Sequence, residues 1–379
     1  MRERMQTAGR RPSALSKPLR YGVIGTGMMG IEHIRNIRVL DGARVAAICD
    51  TNAQSLAAGQ DAVGDNVPAF ESHIDLLAAD ICDALVVATP NMTHIGILLD
   101  IIDAGLPVLV EKPLCTTVSD CQRILAAAPP NALIWVGLEY RYIPAIEELI
   151  AKVREGTIGP VRMLGIREHR FPFLNKVDDW NRFNANTGGT LVEKCCHFFD
   201  LMRLIVQARP VRVYASGGQD VNHLDELYEG RQPDILDNAY VIVDFDSGAR
   251  AMLDLCMFAE ATRNQEEISV VGDRGKVEAL IPDAVLRTGI RGRHWIGNVD
   301  EEPVENPEIR HAGYHHGSSY IEHLRFRDAV LGRASPESGL EAGLGSVALG
   351  EAAQLSIAEG RVIDMDEVIK PGNSDTGHG

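Results

Sequence analysis

The chain has 379 residues, 45% of them apolar and 24% charged, and carries a formal net charge of −16 at neutral pH. That length supports a large buried core and two domains. The acid excess, with no basic stripe against it, excludes nucleic acid and anionic membrane surfaces as electrostatic partners, and no apolar run approaches the ~20 residues that cross a bilayer.

Residues 1–19 are basic and rich in small polar side chains. Arg10-Arg11 has the look of an export signal, but Pro12 to Pro18 leads straight into a strand without the apolar stretch such a signal needs. This segment and 371–379 read as disordered tails. From 20 to about 140, apolar strands at 20–25, 44–49, 84–89, 107–111 and 132–138 alternate with helices near 28–40, 52–63, 72–79, 92–104 and 117–127. Continuous apolar strands between amphipathic helices predict a parallel sheet covered on both faces. Past Pro144 the pattern changes to a helix over 144–155, a strand over 160–170, a polar loop over 171–189 and a helix over 190–206. Antiparallel hairpins follow, 239–245 with 249–255 and 267–272 with 275–280, then helices over 318–331 and 339–359. The fold class is α/β: a Rossmann domain over 20–142 and an α+β domain over 143–370 whose sheet is mainly antiparallel, expected to bind substrate and to mediate oligomerisation.

Two stretches carry chemistry. The first is Gly25-Thr26-Gly27-Met28-Met29-Gly30 after an apolar strand, with Asp50 ending the next strand 20 residues on. Gly25 permits a tight turn, Gly27 lets backbone N–H groups reach a pyrophosphate, and Gly30 lets the helix pack on its strand. Thr26, Met28 and Met29 complete that cradle, and the helix N-terminus favours the anion. A carboxylate at position 50 accepts from both ribose hydroxyls and repels a 2′-phosphate. Thr51 and Asn52 offer no cation to neutralise one, so NAD is preferred over NADP.

The second is Glu111-Lys112-Pro113 at the carboxyl end of a parallel strand, where such sheets bind ligands. Glu111 is placed to fix the Lys112 ammonium. Thr89-Pro90-Asn91-Met92-Thr93-His94 ends the neighbouring strand, and both strand ends face the nicotinamide half of the cofactor. Cys195-Cys196-His197 does not read as a metal site, because adjacent helical residues diverge by ~100° and no second ligand pair has zinc spacing. The seven cysteines are odd in number, lack scaffold spacing and fall in apolar elements, as expected of reduced thiols in a cytoplasmic protein.

With the glycine loop, Ala88-Thr89-Pro90-Asn91 and His94, Glu111-Lys112-Pro113, and Gly188-Gly189 leading to His197 and Asp200, the chain resembles the glucose–fructose oxidoreductase/inositol dehydrogenase (Gfo/Idh/MocA) family over about 20–200. The resemblance implies NAD-dependent oxidation of a secondary alcohol on a sugar, sugar acid or cyclitol, in a homodimer or homotetramer. It implies Lys112 and His197 as the catalytic pair, with the lysine on the substrate oxygen and the imidazole taking its proton. It also implies that the carboxylate at 193 orients His197. Most members carry Asp there and this chain carries Glu193, which could instead contact substrate hydroxyls. Glu139-Tyr140-Arg141-Tyr142 resembles the family's Arg-aromatic motif, placing Arg141 on the cofactor and Tyr142 on the substrate. Trp180, Asn184, Lys194, Tyr320 and the cations Arg167, Arg170 and Lys176 are further expected pocket residues. Lys194 points to the rim or to solvent, and the cations together would suit a carboxylated or phosphorylated sugar. Retention of Lys112 and His197 argues against a non-catalytic NAD-binding regulator, and leaves NAD-dependent glycoside cleavage as a second chemistry.

Overall fold

Short apolar strands and capped helices build the first half of the protein, in a computed structural model that describes residues 17–64 and 66–370. The tails read from sequence therefore lie outside the described residues, apart from 17–19. Strands β1 (Leu19–Ile24), β2 (Ala43–Cys49), β3 (Ala69–Phe70), β4 (Ala84–Val87), β5 (Val108–Glu111) and β6 (Ile134–Gly137) alternate with helices. These are α1 (Met28–Val39), α2 (Ala53–Val63), α3 (His73–Ala78), α4 (His94–Ala104) and α5 (Val118–Ala127). The strands pair in parallel in the order β3-β2-β1-β4-β5-β6, with the order reversing between β1 and β4. β4 and β5 are buried at every position, as strands covered on both faces must be. Asn52 and Thr117 cap α2 and α5 by accepting from Ser55 and Asp120 backbone N–H groups.

The second half adds α6 (Pro144–Arg154), β7 (Val161–His169), α7 (Asn184–Thr187), α8 (Thr190–Glu193) and α9 (Cys196–Val206). β8 (Pro210–Gly218), β9 (Asn238–Phe245), β10 (Arg250–Cys256), β11 (Glu266–Gly272), β12 (Gly275–Ile281), β13 (Val285–Ile290) and β14 (Asp300–Pro303) follow. The chain closes with α10 (Ser318–Val330), α11 (Leu340–Glu359), β15 (Ile363–Asp364) and α12 (Met365–Ile369). β7 to β15 form one nine-stranded sheet in the order β14-β13-β12-β11-β7-β10-β9-β8-β15. It is antiparallel except where β10 runs parallel to β7. Strict alternation gives it one buried face, Ala239, Val241, Val243 and Phe245 on β9 and Ala251, Leu253 and Leu255 on β10. The opposite face is open, with Met252, Ile242 and Tyr214 adjacent across three strands and all exposed.

α9 and α11 cover the buried face of that sheet, and α11 also packs on α5, so one large core joins both sheets. A second core lies under α10, which returns to the first half of the chain. There Tyr320 and Phe326 pack among Tyr21, Ile34, Trp135 and Tyr142.

The helix expected over 190–206 is two. At Cys195 the N–H reaches back five residues to the Thr190 carbonyl (3.4 Å), and α9 restarts at Cys196. The Glu193 carbonyl at this break accepts instead from Lys112 Nζ at 3.0 Å and from Cys196 Sγ at 3.4 Å.

Candidate active site

The carboxyl ends of β1, β2, β4 and β5 open into a cleft of about 580 Å³ at the point where strand order reverses. Its far wall is the segment from Arg170 to Trp180 together with Glu193, Lys194, His197 and His315. At one end, Gly25 holds φ +89° with its Cα face against the Ala88–Thr89 backbone, and a Cβ at Gly30 would stand 1.9 Å from the Gly25 carbonyl oxygen. A Cβ at Gly27 would meet nothing within 4 Å, because that position faces the cleft. Among the described residues no side chain caps α1, so its first N–H groups are available to an anion. Asp50 lines the same end. Its Oδ2 accepts from Thr26 N (2.7 Å) and its Oδ1 from Asn52 N (2.8 Å). A carboxylate has about four acceptor directions, so room remains for a ribose hydroxyl. The residues therefore fit an NAD molecule with its ribose on Asp50 and its pyrophosphate over Gly27.

At the other end stand Lys112 and His197. Burial alone would lower the Lys112 pKa, but Cys196 and the carboxylates of Glu193, Glu111 and Glu139 outweigh it, and the ammonium is held charged. His197 is displaced the opposite way. Burial, then the charges of Lys112, Lys194, His315 and Arg170, push its pKa well down, so the imidazole is neutral. Its ring stacks on Tyr140, centroids 4.0 Å apart and planes within 12°. Its Nδ1 is buried without a hydrogen-bond partner, which leaves Nε2 as the nitrogen addressed to the cleft.

Glu193 does not orient that ring. The interruption at Lys194–Cys195 breaks the expected four-residue register, and Glu193 Oε2 accepts from Asn91 Nδ2 at 3.0 Å. Burial raises its pKa against the pull of Lys112 and Lys176. Glu111 does not hold the ammonium either. One of its oxygens accepts from the backbone N–H of Lys112 (3.1 Å) and the other lies 2.9 Å from His33 Nε2. His33 Nδ1 is 2.9 Å from His323 Nε2, completing a buried chain from α10 to the root of Lys112. Lys194 is neither at the rim nor in solvent. It is 4% exposed, 2.9 Å from Glu168, and donates to the Tyr140 hydroxyl at 2.6 Å. Burial, offset by Lys194, leaves Glu168 with a pKa of about 7.

Of the other expected residues, Gly25, Gly27, Met28, Met29, Asp50, Thr89, Pro90, Asn91, Arg170, Lys176 and Trp180 line the cleft. Thr26 and Gly30 support it from within the turn. His94 is buried behind it, its ring nitrogens 2.9 Å from the Pro113 carbonyl and 3.1 Å from that of Thr89, tying together the two strand-end loops. Five more expected residues do not line it either. Arg141 is clamped by both oxygens of Asp200 and by the Glu337 carbonyl. Tyr142 is stacked on Trp135 in the second core, and Tyr320 is buried there too. Arg167 pairs with Glu267, and Asn184 with Asp234. The aromatic-rich motif thus contributes Glu139 and Tyr140 to the cleft rather than Arg141 and Tyr142. Sequence reasoning missed Phe173, Asn175 and the inward Glu168. The alternation Leu164, Ile166, Glu168 along β7 was the available signal for that last residue.

A nucleotide cradle at the switch point, facing a lysine and a neutral histidine, defines an NAD-dependent oxidoreductase. Residues 19–138 match the family model described as "Oxidoreductase family, NAD-binding Rossmann fold", and 150–365 match "Oxidoreductase family, C-terminal alpha/beta domain". The chain belongs to this Gfo/Idh/MocA family. It is 27% identical to myo-inositol 2-dehydrogenase of Thermotoga maritima over 93% of this chain and 100% of the relative. With inositol 2-dehydrogenase of Gluconacetobacter diazotrophicus it shares 38% identity over 72% of this chain and 77% of the relative. The fold is also that of levoglucosan dehydrogenase solved with NADH and levoglucosan, at a TM-score of 0.80, 18% identity, and coverage of 92% and 100%. Among the described residues no helix is long and apolar enough to cross a membrane, and no cluster of three or more His, Cys, Asp or Glu is placed to hold a metal ion.

Proposed function

We propose that this protein oxidises a secondary alcohol of a sugar, sugar acid or cyclitol, reversibly, with NAD. The observation that carries the reading is the pairing of a charged Lys112 with a neutral His197 across one cleft at the ends of the parallel strands. The Lys112 ammonium receives the substrate oxygen and stabilises the negative charge that develops on it. Its position is fixed by the Glu193 carbonyl, so little is left to reorganise during reaction. His197 Nε2 takes the hydroxyl proton, its depressed pKa leaving the ring unprotonated before reaction. NAD, when bound, supplies the hydride acceptor. Glu193, held by Asn91 with its other oxygen uncommitted, is placed to accept from a neighbouring substrate hydroxyl.

Residues 143–370 supply most of the substrate wall and the surface for self-association. Supporting the latter is the open sheet face, where Met163, Tyr214, Tyr240, Ile242 and Met252 are all more than 40% exposed. A homodimer or homotetramer built on that face would cover it. A cytoplasmic setting agrees with seven unpaired cysteines, six of them buried. A panel of polyols, aldoses, uronates and inositols with NAD, followed at the reduced-nicotinamide absorbance band, tests the function. No turnover on any member would sink it.

A further inference from the structure

Four cations stand at the reaction end of the cleft, and three of them have protein partners. Lys194 meets Glu168 at 2.9 Å, and Lys112 donates to the Glu193 carbonyl at 3.0 Å. Arg170 lies 3.6 Å from Glu168, and its Nε donates to the Phe171 carbonyl at 3.2 Å. Lys176 differs. It is half-buried on the cleft wall, and its ammonium makes no hydrogen bond or ion pair among the described residues.

Burial lowers the Lys176 pKa, and the charges acting on it are Glu193, Lys112, Glu111 and Arg170. These strongest neighbours stand at the reaction end of the cleft that Lys176 lines, which places it towards the reacting molecule. Its place does not depend on a ligand, because the residues around it are tied down. Asn175 Oδ1 accepts from Arg182 Nη2 at 2.9 Å, Asn181 Nδ2 donates to the Leu174 carbonyl at 2.9 Å, and buried Arg182 pairs with Glu226 at 2.9 Å. A half-buried ammonium with no ion-pair partner of its own is partly desolvated, and a bound carboxylate offsets that cost. Glu193 and Glu139 line the same cleft, so a singly charged carboxylate is repelled less there than a doubly charged group.

We infer that the substrate carries a carboxylate, seated on Lys176 with Arg170 beside it, while the carbon to be oxidised lies at Lys112 and His197. The inference rests on the dehydrogenase reading and narrows it to sugar acids. Arg167 and Lys194, the other cations of the expected basic pocket, take no part, since Glu267 and Glu168 neutralise them.

The test is titration calorimetry of the NAD-saturated protein with two matched pairs, D-glucuronate against D-glucose and D-galacturonate against D-galactose. At low salt one uronate should bind at least about ten-fold tighter than its aldose. Lys176→Met should collapse that ratio to within about three-fold, and Lys176→Arg should preserve most of it. Equal affinity in both pairs, no binding of either uronate, or a ratio unmoved by Lys176→Met would overturn the inference. D-glucose 6-phosphate is the remaining arm, and tighter binding of it than of glucuronate would overturn the choice of carboxylate. NADH formation in the same samples separates the two claims. Preference without turnover on any sugar would remove the dehydrogenase reading and keep the acid seat, whereas turnover without preference would remove the seat alone.

Discussion

Lys112→Met removes one ammonium and leaves a side chain of similar length in a mostly enclosed site. A single preorganised donor to a developing oxyanion is worth about 3–4 kcal/mol, so kcat should fall by roughly 10²–10³-fold. There is a structural cost as well. The Glu193 carbonyl at the helix break loses its 3.0 Å donor and keeps only the Cys196 thiol at 3.4 Å. An under-satisfied buried carbonyl costs about 1–3 kcal/mol, so a modest drop in melting temperature should accompany the loss of rate. NAD affinity should change far less, because the residues that fit the pyrophosphate and ribose lie at the other end of the cleft. Steady-state absorbance gives kcat, quenching of protein fluorescence gives the NAD dissociation constant, and a thermal melt gives the stability term. A kcat within a few-fold of the parent would refute the assignment. A loss of NAD affinity as large as the loss of rate would show that the lysine acts on the cofactor instead.

His197 is held neutral well below the usual imidazole range, so its base form persists to lower pH. The acid limb of kcat/KM should accordingly fall below the ordinary value of about 6.5, and a limb at or above 7 would contradict the site electrostatics. Tyr140 acts on that ring by stacking, not through its hydroxyl. Tyr140→Leu should therefore cost more in kcat than Tyr140→Phe, by about 0.5–1.5 kcal/mol, and equal effects would remove the stack from the account. Gly27→Ala and Gly30→Ala should separate cleanly. The first leaves the melting temperature near the parent's while weakening NAD, since its Cβ enters open space in the cleft. The second loses both, since its Cβ collides with the Gly25 carbonyl. Parallel melts and NAD titrations decide, and an undisturbed Gly30→Ala would refute the turn geometry.

Much of this was legible because local chemistry decided it. The glycine loop, Asp50 and the strand-end lysine occupy positions fixed by the βα unit itself, and the alternating pattern of β9 and β10 specified which face is buried. What escaped depended on tertiary partners. Arg141 reads as a cofactor ligand until Asp200, 59 residues away, takes both prongs of its guanidinium. Glu193 and His197 share a helical face only if the helix is continuous. At the interruption Lys112 meets the Glu193 carbonyl and Glu168 meets the Lys194 ammonium, and no window around 194 contains either partner. β3, two residues long, is too short to show a period.

Asp50 has a further consequence. The same carboxylate that fits a ribose also fastens the glycine turn to the end of β2, through Thr26 and Asn52. Anyone retooling the protein for the 2′-phosphorylated cofactor must supply substitute fastenings along with the new phosphate-binding group. Exchanging that one acid alone would trade selectivity for a slack turn.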